Sequence, residues 1–406
     1  MNSRQRMDAA MRLRQPDRVP VMCQLAIGHY SLNTDLDEVD IWHSTEAFGD
    51  ALICLQRRYS FDGILVNLPG RDPNWRAYIR RVEEKDRETV IRWMNGWYTV
   101  VPSDDNPHVY RESGVRYFPA FEEVDPERLF YIEPHDLSGI TYPYSWGFGG
   151  EPAPLGKHFF PVWHYDTIRY VANRVGDRVS VHAEVFSPFS QFMEMLDYTN
   201  GLIALMDNPG KSRACLEALS EGAIALGQGQ AAAGAQAILV SSAFAGAGLI
   251  SRENYREFVL PYEEKVIRGI RKGFDGPIYT HTCGAIGDRL DLMMETGTNG
   301  IDTLDPPPLG TVDLQDARQI LAGRCFIKGN MDPVNTILKG TPQTVYEDAV
   351  RRIAIAGPGG GYILSSACSV SPHAPAANIR KLVEAVEDYG RYPFQADGSP
   401  PSSRFR

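Results

Sequence analysis

The 406-residue sequence has few cysteines and histidines and lacks long apolar runs. Cysteine occurs six times and histidine nine times, and the scattered cysteines do not form the pattern of a disulfide scaffold. No stretch of about 18 apolar residues is present, which excludes a transmembrane helix and a membrane partner. The N-terminus, MNSRQRMDAAMRLRQPDRVP, lacks the apolar region of a signal peptide. We therefore expect a cytoplasmic protein with free thiols.

The sequence also lacks clusters of lysine and arginine. Its net charge is −10 and its pI is about 5.5, which argues against a nucleic-acid partner. Hydrophobic residues make up 43% and charged residues 23% of the chain, the balance of a globular protein. No internal repeats are present.

Short apolar runs rich in β-branched residues alternate with segments of helical periodicity. Such runs predict eight strands at 18–26, 63–68, 178–186, 237–242, 277–282, 300–305, 325–330 and 361–366. From about residue 178 onward the order is strand, helix, repeated. This pattern predicts an α/β fold with a parallel sheet, and the number of strands favours a closed (β/α)8 TIM barrel.

The region 70–165 interrupts this alternation. VIRWMNGWYTVVP and GVRYFPAF predict a hairpin or a small antiparallel sheet, and YPYSWGFGGEPAPLGKHFFPVW predicts a long ordered loop. We interpret 70–165 as an insertion that caps the barrel mouth within a single barrel over 1–393, followed by a polar tail at 394–406. The segment RENYREFVLPYEEKVIRGIRKG (252–273) predicts one helix.

The stretch YTHTCGAIG places His281 and Cys283 two residues apart at the end of a predicted strand. Alternate residues of an extended segment point to the same side, so both side chains can face one ion. Cys368 ends the last predicted strand, in GYILSSAC. A His-Cys-Cys set with one open position indicates catalytic zinc. The alternative is that His281 is a hydrogen-bonded loop histidine and Cys368 a packed thiol.

Other polar residues lie near the predicted strand ends. Glu184, with His182 two residues before it, is a candidate fourth zinc ligand; alternatively, Glu184 pairs with an arginine or caps a helix. Asp305, Asn330 and Asp332 are expected to orient the ligands or to shape loops.

Two further features have structural and functional interpretations. GPGGG (357–361) precedes a strand rather than a helix, which indicates a helix stop and a turn, not a phosphate-binding loop. The aromatic residues of the insertion either line a substrate pocket or form a small core of their own: Trp75, Trp93, Trp97, Trp146, Phe148 and Trp163.

Several motifs resemble the uroporphyrinogen decarboxylase superfamily. They are HTCGAIGDRLDLMMETGTNGIDTLDPPPLGTVDLQDARQI, KGNMDPVNTILKGTP, GGGYILSSACSVSPHAPAANI and VEDYGRYP, and the resemblance covers about 178–393. One branch of this superfamily decarboxylates porphyrinogens without a cofactor. The other contains zinc methyltransferases that exchange methyl groups with corrinoid proteins through an H-x-C…C motif.

The sequence departs from the decarboxylase branch at three places. CQLAIGHY (23–30) has no arginine where that branch has an arginine-rich stretch that grips substrate carboxylates. Asn67 and Leu68 stand where its catalytic aspartate is found, and Cys368 stands in place of a late histidine. The resemblance therefore favours the methyltransferase branch, with His281, Cys283, Cys368 and Glu184 as the metal-binding and catalytic set.

This resemblance implies Zn2+ as a cofactor and two partners. One is a separate corrinoid (cobalamin) protein, because the chain has no DxHxxG cobalamin-binding segment. The other is a small methyl donor or acceptor: a methoxylated aromatic, a methylated amine or sulfur compound, or a thiol. The alternatives are a decarboxylase of a porphyrinogen or smaller acid, and a non-catalytic relative that binds zinc or a tetrapyrrole.

Overall fold

The protein folds as a (β/α)8 barrel. The computed structural model describes residues 1–114, 118–133, 155–156 and 158–394. Seven parallel strands lie side by side in the order β1, β6, β7, β8, β9, β10, β11. Their bounds are Gly63–Val66 (β1), Ser180–Phe186 (β6), Ala237–Ser241 (β7), Ile278–His281 (β8), Gly300–Thr303 (β9), Phe326–Met331 (β10) and Tyr362–Ser366 (β11). Six of them lie within predicted strands, and β10 extends one residue beyond the predicted 325–330, to Met331.

The eighth predicted strand, 18–26, is not a regular strand. It forms isolated parallel bridges to the last strand and its extension, at Val21–Leu364 and Leu25–Val370. On its other side, the Val21 carbonyl accepts a bond from the Asp62 amide at 2.8 Å. Pro20 has no N–H, and the Val21 N–H donates to the Asp62 carboxylate at 2.9 Å instead of to a backbone carbonyl. The segment therefore closes the barrel between β11 and β1 without forming a full ladder.

Helices cover the outside of the barrel. The longer helices are Ser3–Met11, Ile27–Asn33, Glu38–His43, Thr45–Tyr59, Asp166–Val175, Pro188–Leu196, Tyr198–Asp207, Pro209–Ala232, Arg252–Phe258, Leu260–Arg271, Leu290–Glu295, Leu314–Leu321, Pro342–Ala356 and Ala376–Tyr389. Short 3-10 turns lie at Trp75–Tyr78, Phe121–Glu123, Pro126–Arg128 and Val162–Tyr165, and one π-helical turn at Pro333–Leu338.

The prediction of one helix over 252–273 was wrong, because the structure has two. Arg252–Phe258 ends at Val259, and Leu260–Arg271 begins directly afterwards with Pro261 in its first turn. Proline has no N–H to donate within the first helix and fits the first turn of a new one. The helix stop predicted at Gly357 is found, since Pro342–Ala356 ends there.

The N-terminal helix Ser3–Met11 packs against the barrel interior at the end opposite the site described below. Met7, Ala10 and Met11 form one buried apolar cluster with strand side chains that include Leu65 and Tyr279. In a parallel barrel, inward-facing side chains fill the centre in layers. Burial of these methionine and alanine side chains closes one end, which leaves the C-terminal ends of the strands as the open mouth.

Residues 79–110 form a separate antiparallel sheet of four strands: Ile79–Glu84 (β2), Glu88–Trp93 (β3), Tyr98–Pro102 (β4) and His108–Tyr110 (β5). The predicted hairpin in VIRWMNGWYTVVP corresponds to β3 and β4. The second predicted piece, GVRYFPAF, falls partly on 115–117, outside the described residues. The predicted long loop, 142–163, also falls largely outside them, on 142–154 and 157.

The aromatic residues of this sheet pack mainly with one another. Trp75 and Trp93 form a buried cluster with Ile91 and Val101, and Trp97 packs against it. Trp163 is half-buried. Trp146 and Phe148 lie outside the described residues. For the three tryptophans of the cluster, the structure supports the interpretation as a small core.

The loop after β4 approaches the mouth of the barrel. His373 Nε2, in the loop after β11, lies 2.9 Å from the Asp104 carboxylate. A Cβ atom on Gly28 would lie 2.1 Å from the Asp104 carbonyl oxygen, so glycine is required for this close approach. The contacts place part of the 70–165 region beside the C-terminal ends of the strands. The exact limits of the insertion stay a prediction.

Two features of the chain remain. Among the described residues, no helix combines the length and apolar character needed to cross a membrane. Phe394, the first residue of the predicted tail, packs against the Tyr392 ring with centroids 5.0 Å apart, whereas 395–406 lie outside the described residues.

Candidate functional site

The structure brings His281, Cys283 and Cys368 together at the barrel mouth. His281 Nε2 lies 3.2 Å from Cys283 Sγ, and the two sulfurs are 3.5 Å apart. One candidate ligand atom from each residue lies within 4.8 Å of the other two. His281 is buried, and both cysteines are half-buried. The three side chains come from the ends of two strands, β8 and β11. The two cysteines are 85 residues apart in sequence.

The local backbone explains how two ligands come from so short a stretch. His281 is the last residue of β8, and Cys283 follows in extended continuation. Gly284 then adopts a positive φ of +77°, which glycine tolerates without strain. Its N–H donates to the Asp305 carboxylate at 2.7 Å. The chain therefore turns away directly after the second sulfur, and Asp305 shapes this loop as expected.

This geometry fits a tetrahedral zinc ion. Zn–S bonds of about 2.3 Å and Zn–N bonds of about 2.1 Å at tetrahedral angles separate the ligand atoms by about 3.6 to 3.8 Å. The observed separations of 3.2 and 3.5 Å are slightly shorter. Two sulfurs and one imidazole nitrogen are the donors that zinc prefers. Three protein ligands would leave one position for a substrate group.

The cluster has a distinct charge distribution. Burial alone would lower the pKa of His281, but its hydrogen bond to Asp302 and its contact with Cys368 raise this pKa to about 10. The hydrogen bond with Cys283 and the neighbouring His281 lower the pKa of Cys368 despite burial. The same bond, together with burial, raises the pKa of Cys283. A cation that binds here would displace the protons held by His281 and Cys283.

Asp302 and Lys328 support His281 from the neighbouring strands and were missed by the sequence analysis. Asp302 Oδ2 lies 3.1 Å from His281 Nδ1, and Lys328 Nζ lies 2.9 Å from Asp302 Oδ1. His281, Asp302 and Lys328 are register partners across β8, β9 and β10. A carboxylate on the second ring nitrogen fixes the orientation of a metal-binding histidine. The available signal was one charged residue inside each of two otherwise apolar strands.

Glu184 lies at the mouth but outside the group of three ligands. It sits near the end of β6, is 9% exposed, and interacts electrostatically with His281 and Cys368. Burial raises the pKa of its carboxyl group. Among the described residues, only His281, Cys283 and Cys368 meet the 4.8 Å criterion for a shared ion. The role of Glu184 as fourth ligand stays a prediction.

The other candidates have structural partners. His182 is fully buried, with Nδ1 2.8 Å from the Tyr279 hydroxyl and Nε2 3.0 Å from Ser180 Oγ. It therefore does not join the ligands. The prediction that His182 and Glu184 share one side of the strand agrees with strand alternation. Asn330 donates to the Leu304 carbonyl at 2.9 Å, and the Asp332 carboxylate accepts from the Val334 N–H at 2.8 Å.

Comparison with known proteins gives a family match and a fold similarity for this chain. The family model described as uroporphyrinogen decarboxylase matches residues 159–389. A methyltransferase from Methanosarcina mazei has a similar fold, with a TM-score of 0.69 and 16% identity, covering 95% of this chain and 98% of that one.

Curated relatives carry two different names. A uroporphyrinogen decarboxylase of Alkalilimnicola ehrlichii is 28% identical over 230 residues, or 54% of this chain and 60% of the relative. A methylcobamide:CoM methyltransferase of Methanosarcina acetivorans is 28% identical over 227 residues, or 55% of this chain and 62% of the relative. The chain thus spans about 60% of the length of these relatives.

Proposed function

The chain belongs to the uroporphyrinogen decarboxylase family, and we propose that within it this protein is a zinc-dependent methyltransferase that moves a methyl group between a small substrate and a corrinoid protein. The observation that carries the proposal is the cluster of His281, Cys283 and Cys368, with sulfurs 3.5 Å apart at the barrel mouth. Active sites of (β/α)8 barrels lie at this end.

A Zn2+ ion held by these three residues would supply Lewis acidity, which lowers the pKa of a thiol, phenol or similar group and favours its anion near neutral pH. His281, Cys283 and Cys368 would hold the ion. Asp302 keeps the Nε2 face of His281 toward the two sulfurs by bonding the opposite ring nitrogen. Two thiolates and one neutral imidazole would balance the charge of the ion, so an anionic substrate group is not repelled.

The transfer itself is a nucleophilic displacement at the methyl carbon. A corrinoid partner would supply the nucleophile that takes the methyl group or, in the reverse direction, the methyl group that a thiolate takes. In either direction the group that leaves the methyl carbon would keep the electron pair of the broken bond. Cys283 and Cys368 are half-buried, so the cluster that would hold the ion is partly open to solvent.

Two positions weigh against decarboxylation. Asn67, directly after β1, has no carboxylate where the decarboxylase branch has its catalytic aspartate, and Cys368, part of the cluster, stands in place of the late histidine of that branch. The decarboxylase reading keeps support from the curated relatives that bear this name. It is the second candidate.

The test measures methyl transfer by the cobalt spectrum. Zinc-loaded protein is mixed with a corrinoid protein in the cobalt(I) state, and methylated aromatic ethers, amines and thioethers are offered in turn. We expect a methyl-cobalt spectrum with one class of donor, and a much slower reaction with the Cys368→Ser variant. The Cys54→Ser variant is the matched control, since Cys54 is exposed and remote from the cluster.

Three outcomes would contradict the proposal. A zinc-free Cys368→Ser variant that transfers methyl groups at the wild-type rate would exclude the zinc mechanism. Wild-type protein that transfers no methyl group in either direction but releases carbon dioxide from a porphyrinogen would establish the decarboxylase alternative. A protein that binds zinc but does neither would support the non-catalytic relative.

A further inference from the structure

A small cavity lies beside Glu184, on the side of the mouth formed by β1 and β6. Its polar lining consists of Asn67, Glu133, His164, Glu184 and Gln230, and we call it the amide cavity. Apolar side chains, including Ile168 and Phe186, complete the wall. Its volume of about 10 Å³ holds the centre of roughly one water-sized group.

Two amide oxygens of the amide cavity are buried without a hydrogen-bond partner among the described residues: Asn67 Oδ1 and Gln230 Oε1. Gln230 is only 7% exposed, and its Nε2 donates to the Glu184 carbonyl at 2.7 Å. That bond identifies the nitrogen of the Gln230 amide, so the oxygen Oε1 is the atom without a partner among the described residues. A buried oxygen without a hydrogen-bond partner is destabilising, so a donor group bound in the cavity would offset this cost at two positions.

The charge of the lining favours a cationic donor over a neutral one. Glu133 and Glu184 are 4% and 9% exposed, and the lining residues that the structure describes include no lysine or arginine. Burial lowers the pKa of His164 to about 3, so this ring is neutral. Arg71, outside the lining, attracts Glu133 and compensates part of its charge. The Glu184 carboxyl group interacts with His281 and forms a hydrogen bond with Ser241, so His281 compensates part of its charge.

We propose that the amide cavity binds the ammonium group of a methylated amine, with the Asn67 and Gln230 amide oxygens and the Glu184 carboxylate accepting its N–H bonds. Three acceptors match the three N–H bonds of a primary ammonium group. Glu184 lies between this cavity and the cluster of His281 and Cys368, so the carbon substituent of the amine lies toward the cluster. The size of the cavity excludes an aromatic ring from this position.

The inference deepens the proposed function, because it names the class of methyl donor. It rests on that function only for the role of the bound amine, not for the binding itself. Isothermal titration of zinc-loaded protein with methylammonium chloride tests it directly, without a corrinoid partner. Tetramethylammonium has the same charge and no N–H bond. We expect methylammonium to bind at least about 10-fold more tightly than tetramethylammonium, as the loss of hydrogen bonds to a charged group predicts.

Substitutions at the amide oxygens provide a second readout. Asn67→Leu and Gln230→Leu should each weaken methylammonium binding by about 10-fold or more. Gln228→Leu is the matched control, because Gln228 lies on the same helix, is exposed and bonds the Gly269 carbonyl. Far-UV circular dichroism verifies the fold of each variant, and the comparison of the two cations in the wild type needs no variant.

Several results would overturn the inference. Equal affinity for the two cations would exclude N–H recognition, and unchanged affinity in both leucine variants would exclude these amides. Methanol binding that depends on Asn67 and Gln230, without methylammonium binding, would assign a hydroxyl group instead. If neither ligand binds, the cavity holds only water. Methylammonium binding without methyl transfer would refute the proposed function alone; transfer from other donors without methylammonium binding would refute this inference alone.

Discussion

Asp302 links His281 of the candidate metal centre to the buried side chain of Lys328. It accepts from Lys328 Nζ at 2.9 Å while its other oxygen lies 3.1 Å from His281 Nδ1. Both Asp302 and Lys328 are almost completely buried. Because His281 also lies beside the two cysteines, the Asp302 carboxylate both pairs with a buried lysine and orients a candidate ligand.

The Asp302→Asn variant should therefore show two separable effects. Zinc affinity should fall by about 10- to 100-fold, because the orienting carboxylate of His281 is lost. The free energy of unfolding should fall by about 3 to 5 kcal/mol, because Lys328 loses its buried counter-charge. Metal titration and urea unfolding measure the two effects.

The double variant Asp302→Asn/Lys328→Met serves as the control. It removes the uncompensated charge, so stability should recover while zinc affinity stays low. Recovery of both properties would show that Asp302 acts on zinc only through the fold. Wild-type zinc affinity in the single variant would contradict the role of Asp302 in orienting His281.

Glu263 is a buried carboxyl group behind β7 that should make stability depend on pH. It is 1% exposed and accepts hydrogen bonds from Ser242 Oγ and, at 3.1 Å, from the Tyr255 hydroxyl. Burial raises its pKa to about 7 from 4.5, although both hydrogen bonds oppose the shift. The folded state therefore favours the protonated carboxyl group more than the unfolded state does.

The sign of the pH dependence follows from this difference. The stabilisation linked to Glu263 is fully present below pH 4.5 and is lost as pH rises through about 7, a change on the order of 3 kcal/mol. Glu263→Gln should lack this part of the pH dependence in urea unfolding from pH 5 to 8. Glu264→Gln, at a half-buried neighbour, should retain it. Parallel curves for wild type and Glu263→Gln would contradict the shift.

At the scale of elements, the closing segment 18–26 depends on a buried ion network rather than on a full ladder. Asp62 is 0% exposed and bonds Arg6 at 2.6 Å, Arg18 at 2.9 Å and the Val21 N–H at 2.9 Å. These contacts tie the N-terminal helix and the closing segment to the start of β1. The ends of the barrel wall are therefore joined by side chains where backbone bonds are few.

The Asp62→Asn variant should lose about 3 to 5 kcal/mol of stability, because two arginines keep their charge beside a neutral amide. Chemical unfolding followed by circular dichroism measures the loss. Asp177→Asn is the control: its carboxylate pairs with Arg4 but is 90% exposed, so its removal should cost less than about 1 kcal/mol. Equal losses in the two variants would show that the buried network does not hold the barrel closed.

For the whole molecule, the core and the candidate metal centre are largely independent. The main apolar cluster extends around the barrel and its helices, and (β/α)8 barrels of this size bury enough apolar surface to fold without a metal. This separates the protein from small zinc domains, whose folding requires the ion.

The Cys368→Ser variant tests this independence. We expect far-UV circular dichroism like that of the wild type, together with a large loss of bound zinc, since a serine hydroxyl is a poor substitute for a thiolate. Metal analysis after dialysis measures the zinc, with Cys54→Ser as the variant that should keep it. An unfolded Cys368→Ser protein, beside a folded Cys54→Ser protein, would show that the centre is structural.

The sequence by itself determined the strands and the candidate ligands. Apolar runs predicted seven of the barrel strands to within one residue of their predicted limits, because a strand buried on both faces leaves a local apolar signature. His281 and Cys283 were recognisable because both lie on one short extended stretch, and Cys368 because it ends another strand. The resemblance to the family added the methyltransferase interpretation, which remains a proposal.

Only the tertiary structure decided which residues surround these ligands. Asp302 and Lys328 reach His281 through the register of neighbouring strands, and register is a property of strand pairing that one strand does not encode. The closing segment lost its ladder because the Val21 N–H bonds the Asp62 side chain, 41 residues away. Glu184 and Gln230 meet at the amide cavity because a helix packs on β6. Local patterns specify elements, whereas contacts between distant elements depend on how those elements pack.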